Sequence, residues 1–269
     1  VARVVSVERR APPRLVGVAT IKLAGAVPGA PIACTCGASS KCHFFFSVDD
    51  GILRAMSRTF MAVLLWTLTL KGASADQTLF AENFSHGITN GWKNVAFFKT
   101  PTKYEVRHAG TNFYLAGVAD KTCSALSIKL DLAPPRTLKL RWRWRIDGVA
   151  TNGSERVLSK FDHAARVFVA FDTFVGPPRT LNYLWANVEP VGTVLEHPKS
   201  SRAQLIMVES GNRKAGQWVA EERDVTADWK RVFPGRPMPK VVGLGVMTDS
   251  DSLGQKLTGA YADLELTGE

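Results

Sequence analysis

Leu138-Lys139-Leu140-Arg141-Trp142-Arg143-Trp144-Arg145-Ile146 alternates apolar and cationic residues without a break. Successive side chains of a strand point to opposite faces. Leu138, Leu140, Trp142, Trp144 and Ile146 therefore form one apolar wall, and Lys139, Arg141, Arg143 and Arg145 form a cationic ladder behind it. Two indole rings on the wall require a large buried surface against a second layer. Like charges two apart on one face repel, so the ladder needs acidic neighbours or an anionic ligand. If the partner of Arg145 is buried, Arg145→Ala should cost about 1–3 kcal/mol.

The same punctuation extends outward from this strand. Leu126, Ile128, Leu130 and Leu132 alternate with polar residues until Pro134-Pro135 stops the run. Upstream, Thr78–Phe84, Trp92–Phe98, Lys103–Arg107 and Phe113–Val118 read as strands, with His86-Gly87 to Asn90-Gly91 as a turn. Downstream, Ala165–Phe171, Leu181–Val188, Gln204–Val208, Trp218–Arg223, Val241–Met247 and Tyr261–Leu266 follow, and Glu189–Arg202 reads as a loop. One short helix is expected over Thr226–Val232, capped by Thr226 and stopped by Pro234-Gly235. This pattern predicts an all-β fold, a single antiparallel β-sandwich of jelly-roll type with one short helix. Alternating helices are missing, which disfavours a parallel α/β sheet.

Before these strands lies Met56–Ala75, MSRTFMAVLLWTLTLKGASA. Arg58 supplies positive charge, Phe60–Leu70 carries none, and Gly72-Ala73-Ser74-Ala75 ends small-x-small. That is the pattern of a secretory signal peptide. The apolar run is about half the ~20 residues a membrane-spanning helix needs. Asp76, not Cys, follows the cleavage site, which disfavours a lipoprotein anchor. Residues 1–55 show no sustained period and read as a disordered leader or a stretch ahead of the true start at Met56. Cys34, Cys36 and Cys42 lack the second Cys pair that a structural zinc site uses. Three segments are thus expected: 1–55 as leader, 56–75 as signal peptide, 76–269 as the sandwich. The protein should be exported, to the periplasm or beyond, with no transmembrane segment once processed.

The chain of 269 residues has 34 basic and 24 acidic side chains. Residues 76–269 hold 25 and 21 of them, so the +10 of the whole chain falls to +4. That charge gives no nucleic-acid signature. Cys123 is the single cysteine after residue 75, so the expected mature fold rests on its core rather than on a disulfide.

Six stretches together resemble the bacterial domain of unknown function 3047 family. They are Trp142-Arg143-Trp144-Arg145-Ile146-Asp147, Lys160-Phe161-Asp162-His163-Ala164-Ala165-Arg166-Val167, Tyr183-Leu184-Trp185, Val208-Glu209-Ser210-Gly211, Glu222-Arg223-Asp224-Val225 and Met247-Thr248-Asp249-Ser250-Asp251. The resemblance spans about Leu79–Leu266 and implies secretion and this fold, but no reaction. Members often carry two acids where this chain has Asp162-His163. Glu82-Asn83-Phe84 with Gly91-Trp92, and Tyr261-Ala262-Asp263-Leu264, are also similar to the first and last strands of carbohydrate-binding jelly-roll modules, which often hold a structural calcium.

No Gly-x-Ser-x-Gly, His-Glu-x-x-His or phosphate loop occurs, so no catalytic residue is assigned. The leading reading is a non-catalytic carbohydrate-binding sandwich whose partner is a glycan or envelope polysaccharide. A hydrolase or lyase using a carboxylate pair, and a structural envelope protein, are the alternatives. Trp142 and Trp144 belong to the core by their alternation, whereas Trp185 and Trp218 are open for stacking on sugar rings. Asp162, Arg166, Trp185, Glu209, Trp218 and Arg223 are the candidate ligand-binding residues. Asp249 and Asp251, at i and i+2 in a turn, are candidate calcium ligands that Asp162 would complete. The competing role is capping of that turn through backbone amides.

Overall fold

The computed structural model describes residues 76–89, 91–96 and 100–269, together with three short strands nearer the N-terminus. Those three are β1 (Val4–Ser6), β2 (Cys34–Cys36) and β3 (Cys42–Phe45), which pair as a small sheet in the order β1-β3-β2. The signal-peptide reading of 56–75, and the leader reading of 1–55 apart from these strands, fall outside the described residues. Contacts divide the chain into two units, Val1–Ala73 and Ser74–Glu269.

The second unit is a two-sheet sandwich. Its strands are β4 (Gln77–Glu82), β5 (Trp92–Ala96), β6 (Lys103–Ala109), β7 (Asn112–Asp120), β8 (Cys123–Leu132) and β9 (Leu138–Ile146). There follow β10 (His163–Phe171), β11 (Arg179–Ala186), β12 (Val194–His197), β13 (Ser200–Ser210) and β14 (Val219–Asp224). Helix α1 (Val225–Val232), β15 (Val241–Asp249) and β16 (Lys256–Gly268) complete it. One sheet runs β12-β13-β11-β10-β15-β8-β5, and the other β14-β9-β16-β7-β6 with β4 also on β16.

Strand β9 behaves as its alternation requires. Leu138, Leu140, Trp142, Trp144 and Ile146 are all buried. Across the sandwich, Trp142 meets Tyr183 with ring centroids 5.5 Å apart, and Trp144 meets Trp185 at 5.6 Å. Trp142 and Trp144 contact each other edge-to-face at 5.3 Å. At the far end Phe171, Trp229 and Phe233 close the core, which brings α1 onto it. Where the sheets come closest, a Cβ on Gly259 would stand 2.2 Å from the carbonyl oxygen of Ala164, so only glycine fits.

Three local outcomes depart from the sequence pattern. The sandwich is antiparallel except for one pair, β11 with β13, which runs parallel. β13 enters that slot because β12 forms a tight hairpin with it, and Leu205–Val208 are then covered on both faces. β12 itself lies inside the stretch expected as a loop; it is a four-residue edge strand, too short and too weakly alternating to stand out. The helix is capped by Asp224, whose side chain accepts from Ala227 N at 2.8 Å. Thr226 lies within the first turn, and its hydroxyl accepts from Leu138 N, tying α1 to β9. Among the described residues no helix is long and apolar enough to cross a membrane.

Candidate functional site

The outer face of the six-stranded sheet carries the ladder. Acids from both flanking strands meet its two central arginines. Arg141 lies opposite Glu222 on β14 and Glu265 on β16, and its Nε donates to Glu222 at 2.6 Å. Lys139 donates to Asp76 at 2.6 Å, and Arg143 to Asp263 at 2.5 Å. Asp263 reaches Arg143 because β16 is irregular between Ala262 and Glu265, where Asp263 takes φ 51. An aspartate tolerates that left-handed geometry better than most residues.

Arg145 ends the ladder differently. Its Nη2 is 3.5 Å from the exposed Asp147 carboxylate, and its Nε is buried with no hydrogen-bond partner among the described residues. Beside it the face is hollow. Ala116 of β7 and Ala260 of β16 stand opposite each other, and Ala260 also stands opposite Arg145. Two methyl groups among tall neighbours leave a shallow cleft of about 150 Å³, whose rim includes Arg107, Tyr114, Asp147, Trp218 and Thr258.

Trp218 is the exposed aromatic of this cleft, 36 % accessible. The turn before β14 positions it, with Gly216 N donating to Ile146 O at 2.7 Å. Tyr114 meets the indole edge-to-face at 5.4 Å, and the Arg143 guanidinium lies over it at 5.5 Å. The Thr258 hydroxyl donates to Asp147 at 2.5 Å, fixing that carboxylate at the rim. The cleft thus offers an aromatic surface, guanidinium donors and a carboxylate acceptor, a set suited to a ring with polar hydroxyls on its edges.

Of the six ligand candidates read from sequence, only Trp218 is here. Trp185 is core, and its Nε1 donates to Gly211 O at 2.9 Å. Arg223 forms a bidentate pair with Asp228, at 3.0 and 2.5 Å. Glu209 pairs with Lys214. Near it, burial pushes Glu221 up to about 7 despite the bond it accepts from Trp144 Nε1, and the charge of Glu209 adds to the rise.

Asp162 and Arg166 lie in a separate, buried polar cluster on the outer face of the seven-stranded sheet, beside the satellite apolar cluster of Phe161, Leu184 and Met207. The Asp162 carboxylate accepts from Ser252 N at 2.9 Å and Leu253 N at 2.6 Å. It therefore caps the turn after β15, and it is not among the ligand atoms grouped at Asp249 and Asp251. Arg166 Nη2 stands 3.3 Å from Asp249 Oδ1 and 3.4 Å from His163 Nδ1, with its guanidinium over Phe161. Burial raises Asp249 to about 7, against the pull of Arg166 and with help from Asp162 and Asp251. His163 is pushed down by burial, and its Nε2 is 3.4 Å from Glu155. Burial opposes ionisation of Glu155 too, yet His163 and the amides of Asn187 and Glu189 hold it at about 2. Every member of the Glu155–His163–Arg166–Asp249 chain is buried, so the chain ties the loops at Glu155 and Asn187 to β10 and β15 rather than presenting a surface.

The metal ligands expected from sequence regroup in the same way. Cys123, opposite Asp249 on the neighbouring strand, joins Asp249 and Asp251, with their ligand atoms within 4.8 Å of one another. A thiol with two carboxylates is a borderline-soft donor set rather than the all-oxygen set of calcium. Burial, then the charges of Asp249 and Asp251, push the Cys123 thiol up to about 12, so it is protonated at neutral pH.

The chain belongs to the family described as protein of unknown function (DUF3047), whose model matches residues 90–265. No curated relative matches it. Among solved structures, it is similar to the family 11 carbohydrate-binding module of the cellulase Lic26A-Cel5E of Clostridium thermocellum, at 10 % identity and TM-score 0.40, covering 72 % of this chain and 95 % of that one. It is also similar to the xyloglucanase domain of NopAA from Sinorhizobium fredii, at 12 % identity and TM-score 0.41, covering 66 % and 93 %. A third is the K1 cleaved adhesin domain of Lys-gingipain from Porphyromonas gingivalis W83, at 12 % identity and TM-score 0.37, covering 72 % and 99 %.

Proposed function

We propose that this DUF3047 member is an exported, non-catalytic glycan-binding protein, and that a sugar ring stacks on Trp218 in the cleft beside Arg145. One observation carries the reading: an exposed indole and the Arg145 side chain line the same hollow. The aromatic face suits a sugar ring, and guanidinium N–H groups at the rim can donate to its hydroxyls. The cleft has room for about one ring, so the ligand is a terminal or exposed residue of a glycan rather than a long buried chain. Export rests on the charged start, apolar run and Ala73-Ser74-Ala75 exit, and it puts the protein where envelope polysaccharide lies.

A glycan array probed with wild type and Trp218→Ala tests the reading. Wild type should mark a related set of glycans and Trp218→Ala should lose that set. Equal marking by both proteins would move the site elsewhere. N-terminal sequencing of the exported protein should begin at Asp76, and a chain that retains residues 1–55 would refute export by this signal.

A further inference from the structure

Among the described residues, the loop between β10 and β11 is the most exposed apolar feature of the sandwich. Phe174 is fully accessible, and Val175 is 70 % accessible. The loop has a defined shape. Thr173 Oγ1 donates to the carbonyl oxygens of Gly176 and Pro177 at 3.0 and 3.1 Å, and Thr173 N donates to Asp172 Oδ1 at 2.9 Å. Arg202 Nη1 ties the base by donating to Pro177 O at 3.2 Å. Gly176 turns the chain at φ 87, where a side chain would be strained and would approach Arg202 to 3.0 Å. Pro177-Pro178 stiffens the return. Two apolar side chains are thereby displayed on a braced turn.

Cations gather at the base of this tip. Arg179, Arg202 and Arg236 form no ion pair among the described residues, unlike the arginines of the β9 ladder. The Arg179 guanidinium lies over Phe233 at 5.6 Å, Arg236 N donates to Phe233 O at 3.1 Å, and Arg202 is held at Pro177, two residues before Arg179. Burial and then the charges of Arg236 and Arg202 lower the ordinary value of Arg179. Of the nearby acids, Asp131 pairs with Lys240, and the charge of Asp172, which also holds Thr173 N, acts on the same lysine. An anionic partner would relieve the repulsion among these guanidiniums.

We infer that the Phe174-Val175 tip and the Arg179, Arg202 and Arg236 base form a docking point for an anionic lipid bilayer. The tip enters the interfacial region while the guanidiniums meet lipid phosphates below it. A free anion would engage the arginines alone and leave the braced apolar tip without a role. A protein groove would need more apolar surface than two side chains supply. The site lies apart from the Trp218 cleft and does not depend on the glycan reading.

Sedimentation of the full chain with vesicles tests it, with phosphatidylcholine alone against phosphatidylcholine containing a quarter phosphatidylglycerol. Phe174→Ser carries the same residues 1–75, so any membrane affinity of that segment is common to both proteins. Because Phe174 touches nothing in the core, the variant should keep the wild-type circular dichroism. Wild type should bind the anionic vesicles at least about tenfold better than the neutral ones, and Phe174→Ser should lose about tenfold on the anionic vesicles. Arg202→Ala with Arg236→Ala should lose binding most at low salt. Equal binding to both vesicles, or unchanged binding by Phe174→Ser, would overturn the inference. So would a requirement for Phe174 only in self-association at high protein concentration.

Discussion

Asp162→Asn tests whether this carboxylate caps a turn or waits for a ligand. In the structure its two oxygens accept from Ser252 N at 2.9 Å and Leu253 N at 2.6 Å, and the side chain is fully buried. Asparagine keeps the shape but offers one acceptor oxygen and turns a donor toward the other amide. Leaving one amide unpaired costs about 1–3 kcal/mol, and the surviving bond loses about 1 kcal/mol of charge assistance. Ser252 is exposed, so water can soften the first cost; the total should be about 2–3 kcal/mol. For a unit of this size each kcal/mol lowers Tm by about 2–4 °C, giving a fall of about 4–12 °C. Calorimetric melts of both proteins at neutral pH, with and without calcium, provide the assay. A Tm within about a degree of wild type would refute the capping role. A wild-type Tm that rises with calcium, and a variant that loses the rise, would restore the ligand role instead.

Three further outcomes follow from the charges. Arg145→Ala should cost under about 1 kcal/mol, because the side chain of its partner Asp147 is 65 % exposed, and urea melts would show a larger loss if that pairing were buried. The same variant should lose glycan binding, which a purely structural ladder would not. Glu155 is held at about 2 in the fold against an ordinary value of 4.5, so its stabilisation is full above 4.5 and lost as pH falls toward 2. Urea melts of Glu155→Gln across that range should show a weaker pH dependence than wild type, and identical slopes would contradict the assignment. Glu221 has the opposite sign: its folded value is raised to about 7, so stability present below 4.5 declines as pH rises through 7. Glu221→Gln should be the more stable protein at pH about 8 by urea melts, and a destabilised variant would show that the carboxylate is better satisfied than its burial implies.

The fold was legible wherever one face of a strand is buried and the other wet. β9 has the bounds that its alternation gives. Two of the four ladder cations, Arg141 and Arg143, found acids on adjacent strands, whereas Lys139 pairs with Asp76 ahead of β4 and Arg145 with Asp147 just past its own strand. Period-2 patterning says which face a residue takes but not which strand lies beside it. That is why the parallel β11–β13 pair and the edge strand β12 were hidden. The site was less legible for the same reason. Asp162, Arg166 and Asp249 are polar residues in distinctive motifs, and sequence cannot separate a buried network from a binding surface. The cleft arises from absence of bulk, at Ala116 and Ala260, brought together across strands far apart in the chain. Only Trp218 signalled it; the alternation of β7, which puts Tyr114 and Ala116 on one face, was the further clue.

Calorimetric titration of wild type and Trp218→Ala with the best glycan from the array addresses the glycan reading most directly. Wild type should bind one equivalent per chain, and Trp218→Ala should weaken that binding at least about tenfold, a loss of about 1.4 kcal/mol, at unchanged Tm. Equal affinity of the two folded proteins would contradict a glycan site at the Trp218 cleft.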